Sequence, residues 1–353
     1  GAGGALEETV KNAFTLALGE GSAVNVSLGY LNGTLTTSGD KVYQITNTGG
    51  TKINLNGVYN RGETLPSGNL NYQGDIWMDI NGGAFGIIAG GVTNEWSTNL
   101  QTSTLTGDTH VQLSGNATAE HVIGGNNKGA STTLTGNTNV TVKDNAIVAG
   151  AIIGGSTSAH NAVTTITGNT SVLVTNVQYS NTAQNLDGGL SNSYIIGGSS
   201  WSSNTTSGTT IQGSTSATIN LNGITLSGTE EHNSFVKTII GGSYGNVNNA
   251  GTVNNINGDT SVSIIGREGI TFTGDIIGGS FENSGQAQYT IGGKSSISIS
   301  GGSTFTGNIY GGSYSKVPGN TGSTMTTAGN ITVELGTGTY RGNIYGAGNK
   351  GTA

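Results

Sequence analysis

Three groups of residues carry side chains able to recognise or transform a ligand. The first is the stretch GDIWMDI at 74–80, where strand alternation sets Asp75, Trp77 and Asp79 on one face and Ile76, Met78 and Ile80 on the other. An indole between two carboxylates is either a sugar platform with hydrogen-bond acceptors at its rim or an edge patch facing solvent. The second group follows a repeated Gly-Gly pair: SSW at 199–201, SY at 243–244, SF at 280–281 and SY at 313–314. Trp201, Tyr244, Phe281 and Tyr314 are expected to line one corner as a column, with Trp201 displaced by one extra Ser. Rings projecting outward form a linear strip suited to sugar faces or a partner protein; rings packed on one another stabilise the stack by about 0.5 to 1.5 kcal/mol per pair. The third group is Glu230-Glu231 beside His232 in SGTEEHNSF, which reads as a solvated turn or as a metal or catalytic pair.

Little else points to catalysis. A lyase or glycosidase needs converging carboxylates, or a base beside Ca²⁺. Here Glu95, Glu120, Asp144, Asp187, Glu282 and Glu334 are scattered singly, and His110, His121 and His160 are isolated. No HExxH or phosphate-loop spacing occurs. No metal or cofactor is expected, and zero Cys excludes disulfides and thiolate sites. Twelve Lys plus Arg against 19 Asp plus Glu give a net charge of −7 without a basic run, which argues against nucleic acid. No apolar run approaches the roughly 20 residues that cross a bilayer, so no membrane insertion of this segment is expected.

The elements that must position these residues follow from composition. Only 9% of residues are charged, 64 are Gly and two are Pro, the remainder being dominated by Thr, Ser, Asn and β-branched side chains. Such a mixture favours many short strands joined by tight corners. Two signatures alternate along the chain. One is IIGGS and its variants, with the first Gly at 90, 124, 154, 197, 241, 278, 311 and 346, spaced by 34, 30, 43, 44, 37, 33 and 35. The other is LTGDTHVQL from Leu105, LTGNTNVTV from Leu134, ITGNTSVLV from Ile166, IQGSTSATI from Ile211, INGDTSVSI from Ile256, IGGKSSISI from Ile291 and AGNITVEL from Ala328. Self-similar units of this length mark solenoids or propellers. Single Gly-Asn or Gly-Asp corners bend a chain without reversing it, so the reading is an all-β, right-handed parallel β-helix.

In such a solenoid equivalent residues stack about 4.8 Å apart, which makes repetition a physical requirement. Ile152 and Ile153, with counterparts such as Ile195 and Ile196, supply aliphatic columns. Gly124, Gly154, Gly197, Gly241, Gly278 and Gly311 are the corners, where a missing Cβ permits positive φ and close approach of coils. Asp108, Asn137, Asn169 and Asp259 share one register and are expected to form a ladder, in which stacked Asp would repel unless separated, as Asn137, Asn169 and Ser214 separate Asp108 from Asp259. The insertions before Gly197 and Gly241 are expected to bulge as loops at 179–192 and 228–234 without breaking the columns. Whether a unit makes one wide coil or two narrow ones stays open.

Residues 1–20 form a cap, read as a short amphipathic helix from the spacing of Leu6, Val10, Ala13 or Phe14 and Ala17, with a strand as the alternative. Residues 21–84 make irregular first coils and 85–353 the repetitive body. The chain opens at Gly1 and stops after IYGAGN, which reads as an excised piece followed by more repeats or an anchor. Tandem IIGGS/NIYGG and TGNTxVxV units over about 85–350, Cys-free and poor in charge, resemble the passenger regions of bacterial autotransporter adhesins and related β-strand-repeat surface proteins. The resemblance implies a secreted or surface-displayed stalk, often adhesive, whose partner is a host or environmental glycan or a surface protein. Neither a translocator barrel nor a Gly-Asp-Ser-Gly protease signature accompanies it. Self-association into an extracellular fibre and a β-helical polysaccharide lyase or hydrolase are the alternatives.

Overall fold

The computed structural model describes residues 12–31, 37–60, 70–94, 102–127, 131–158, 162–175, 193–202, 208–226, 233–246, 252–283, 285–317 and 323–347. Among them every regular element is a β-strand, and all strand pairs are parallel within six sheets. The fold is a right-handed parallel β-helix. Two sheets hold ten strands each and a third holds eight.

The repeat is one coil. Thr138–Lys143 pairs with Thr109–Leu113 on one side and Thr170–Thr175 on the other, while Ile152–Ile153 pairs with His121–Ile123 and Tyr194–Ile196. Each signature thus stacks on its own copies, one level apart, and both lie on the same turn of the solenoid. We call the first the Thr-Val face and the second the Ile-Gly face. A third face, built from Thr132–Thr135 and its equivalents, precedes the Thr-Val face across the Gly-Asn or Gly-Asp corner.

Alternation sends one set of side chains into the lumen. Val140, Val142, Val172, Val174, Ile152, Ile195 and Ile239 are all buried in one continuous core. The two signatures are also joined across the lumen. In five coils the Thr or Ser that opens the Thr-Val strand is buried and donates its hydroxyl to the first Gly of the pair: Thr109 to Gly124 O at 2.6 Å and Ser295 to Gly311 O at 2.7 Å, with the same bond from Thr138, Thr170 and Thr215, whereas the equivalent Thr260 hydroxyl makes no such bond. A buried hydroxyl needs such a partner.

The Gly pair does not adopt the left-handed conformation expected for it: the glycines with φ in that region lie elsewhere, among them Gly83, Gly115, Gly301 and Gly302. What the pair requires is space. A Cβ on Gly154 would lie 2.6 Å from Gly197 O, and one on Gly241 would lie 2.5 Å from Gly278 O, inside the contact distance of the next coil's backbone. The following Ser continues the corner, each coil's backbone N–H donating to the next hydroxyl: Ser156 to Ser199 at 3.0 Å, Ser199 to Ser243 at 3.0 Å and Ser243 to Ser280 at 3.1 Å.

At the opposite corner, Asn137 N donates to Asp108 Oδ1 at 2.7 Å, Asn169 N to Asn137 Oδ1 at 2.8 Å and Ser214 N to Asn169 Oδ1 at 2.8 Å. The expected ladder exists, and it extends upstream through Asp75 and Asp40. Three consecutive carboxylates are tolerated because each accepts a backbone N–H from its neighbour.

The helix read over residues 1–20 is corrected in its described part, where the alternative of a strand holds; residues 1–11 lie outside the described residues. Asn12–Leu16 is a strand, paired in parallel with the strand Lys41–Asn47. The segment continues the ladder of the first sheet by one more rung and stands at its end among the described residues. The strands Val24–Leu31, Lys41–Asn47, Ile53–Asn60 and Ile76–Gly82 belong to the same sheets as the later coils, with register shifts at Ile45/Thr46, Ile53/Leu55 and Asn56/Val58. Tyr179 to Asn192 and Gly228 to His232 lie outside the described residues, but Ile153, Ile196 and Ile240 keep register across both insertions.

Candidate functional site: the outer corner

The turn from the Ile-Gly face to the short strand after it leaves a concave corner on the outside of the solenoid. Two outward columns meet there. One consists of the second residue of each Ile-Gly strand, Ile123, Ile153, Ile196, Ile240, Ile277 and Tyr310. The other is set by the residue after the Ser ladder, where Ser200 pairs with Tyr244, Tyr244 with Phe281 and Phe281 with Tyr314. Together they form an apolar cluster separate from the main core.

Tyr244, Phe281 and Tyr314 therefore form one column, their rings 5.7 and 5.4 Å apart. Trp201 does not belong to it. The extra Ser moves Trp201 one position along the strand, and a one-residue shift turns a side chain to the other face of a sheet. Trp201 points into the lumen, 1% exposed, and packs at 5.1 Å on Tyr289. Two other rings take up the outer stack: Tyr194 lies 4.4 Å from Tyr244, and Tyr310 lies 4.1 Å from Tyr314 and 4.9 Å from Tyr345. Burial in this seam raises the hydroxyl of Tyr244 above its ordinary pKa, reinforced by its hydrogen bond with Tyr194; burial does the same to Tyr310, reinforced by Tyr314.

Upstream, the corner residue changes from aromatic to small and polar: Asn127, Thr157 and Ser200 occupy the column. The seam opens there into a hollow of about 330 Å³, whose border includes Ile87, His121, Ser158 and Trp201.

The GDIWMDI triple is held in coil-to-coil contacts on the Thr-Val face. Asp75 Oδ1 accepts the Asp108 N–H at 2.7 Å, Asp79 Oδ1 accepts from Gln112 Nε2 at 3.1 Å, and Trp77, 6% exposed, stacks at 3.8 Å on His110. Glu230, Glu231 and His232 lie outside the described residues. Among the described residues no three His, Cys, Asp or Glu side chains converge on a point that would hold a metal. Glu282 is buried in the lumen, where the Tyr289 hydroxyl donates to its carboxylate; burial, then the Glu282 charge and hydrogen bond, push the Tyr289 hydroxyl well above its usual pKa.

Sequence reasoning missed a second aromatic ladder. Phe235, Phe272, Phe305 and Tyr340 pair in register inside the lumen, with rings 5.0, 4.8 and 5.3 Å apart. Its signal was present as TFTGD at 271–275, TFTGN at 304–308 and TYRGN at 339–343, each just ahead of an Ile-Gly strand. Comparison of the chain with protein-family models, with curated proteins and with solved structures gives no match.

Proposed function

We propose that the chain is the stalk or adhesive body of a bacterial protein displayed on the cell surface or secreted, of the kind found in autotransporter passengers, and that it binds glycan or a surface protein without transforming it. The observation that carries this reading is the outer corner: an apolar and aromatic cluster separate from the lumen core, with Tyr194, Tyr244 and Tyr314 only partly buried at its edge. Interior packing accounts for the lumen; it does not require a second aromatic column on the outside. Aromatic faces beside hydroxyl groups suit sugar rings and protein side chains alike. The test is adhesion of the purified chain to immobilised polysaccharides and cell envelopes, with release of reducing ends followed in the same samples. Retention without cleavage is expected. Depolymerisation would put the chain among β-helical lyases or hydrolases, and no retention on any surface would remove the adhesive reading.

A further inference from the structure

Resting on the outer corner as the binding face, we propose that its hollow end, and not the stacked tyrosines, is the ligand site, and that it takes an uncharged sugar ring. The floor is aliphatic: Ile123 and Ile153 from the outward column, with Ile87 and Ala151 beside them. Facing it are the hydroxyls of Thr157 and Ser200 and the amide of Asn127, and Thr157 Oγ1 donates to Asn127 Oδ1 at 2.7 Å. A pyranose presents the same pair of surfaces, an apolar C–H face and a rim of hydroxyls.

Charge narrows the class. Among the described residues, those bordering the hollow include no Asp, Glu, Lys or Arg. His121 accepts the Ala151 N–H on Nδ1 at 2.9 Å, which ties the ring to the wall of the hollow. An ionised sugar would leave its charge without a counterion in a partly desolvated site, an unfavourable exchange. A volume of about 330 Å³ stands at the lower end of small-ligand sites, about 300 to 1,000 Å³, so the fit is to one ring or a short terminal unit.

Register explains why the space is there. In the coils from 238 onward the corner position holds Tyr244, Phe281 and Tyr314, whose rings cover the outward aliphatic column. In the two preceding coils it holds Thr157 and Ser200. A ring at either position would lengthen the stack and fill the hollow, so Thr157→Tyr and Ser200→Tyr close the site with a contact the fold already uses next door.

The experiment is saturation-transfer NMR on the full chain with glucose, galactose, N-acetylglucosamine, N-acetylneuraminic acid and p-cresol, with thermal unfolding followed for each variant. At least one neutral sugar is expected to bind and the acidic sugar not to. Thr157→Tyr and Ser200→Tyr are expected to weaken that binding by about tenfold or more, as loss of the enclosed contact area demands, while unfolding no earlier than wild type. Val253→Ser on the third face is expected to keep it. Unchanged sugar binding in both plugged variants overturns the proposal, as does binding of p-cresol alone, which would make the hollow a slot for an aromatic side chain. Adhesion to surfaces with no uptake of any free sugar would leave the adhesive reading standing and remove the hollow as its site.

Discussion

In the coils from 233 onward the molecule carries two aromatic ladders, Phe235, Phe272 and Phe305 each standing nine residues ahead of Tyr244, Phe281 and Tyr314, and they differ in which side of the wall they occupy. Phe235, Phe272 and Phe305 stack inside the lumen, each 1% exposed or less. Tyr194, Tyr244, Phe281, Tyr314 and Tyr310 stack outside, where four of the five carry a hydroxyl. Stacking is available to both, since the coil spacing imposes it. Only the outer ladder needs a polar edge that can meet water. The inner one is a packing device, whereas the outer one borders a surface that can change hands between solvent and a ligand.

The change that strikes both at once is Gly241→Val, because the Gly pair joins lumen to outer corner and its Cβ would collide with Gly278 O. A loss above about 4 kcal/mol in denaturant unfolding, or failure to fold, is expected. Next is the ring deletion. Phe272→Ala opens a sealed cavity and should cost about 3 to 5 kcal/mol; Phe281→Ala, at the outer wall, leaves a gap that water and neighbouring rings can fill and should cost roughly half as much. Equal losses would erase the distinction. A finer comparison adds a hydroxyl: Phe272→Tyr buries an unpaired O–H and should cost about 1 to 3 kcal/mol, while Phe281→Tyr reproduces the rungs on either side and should be close to neutral.

The smallest effect is on pH dependence. Tyr72, buried and donating to Gly39 O at 2.7 Å, has its pKa pushed up to about 12, first by burial and then by the Asp40 charge, and Tyr244, Tyr289 and Tyr310 are displaced in the same direction. A hydroxyl whose folded pKa exceeds the unfolded value near 10 contributes stability that is fully present below pH 10 and lost as pH rises from 10 through 12. Stability should therefore be insensitive to these groups at neutral pH and fall in that window, with tyrosinate absorbance appearing together with unfolding. Ionisation of all tyrosines in the folded chain near pH 10 would contradict their burial.

How much of this was legible follows from what repeats locally. The two signatures fixed the coil because stacking demands identical residues at identical levels, and Tyr244, Phe281 and Tyr314 kept one offset from their Gly pairs. Trp201 failed that reading for a physical reason, strand parity, which one inserted Ser reverses. The role of the glycines was half visible: close approach is real, but the constraint is the next coil's carbonyl and not a left-handed turn. The bond from Thr138 to Gly154 joins residues whose meeting depends on closure of the coil, so no local pattern announces it. The hollow was hidden in the same way, because its lining comes from four levels of the stack and its defining feature is the small size of Thr157 and Ser200 where later coils hold rings.

The central claim, that the outer corner is the binding face, is tested most directly by hydrogen–deuterium exchange on the chain alone and on the chain bound to a surface it adheres to. The account predicts added protection over 121–127, 151–158 and 193–202, with none on the strands that carry Phe235, Phe272 and Phe305. Protection confined to the Thr-Val face around Trp77, or to the third face, would contradict it.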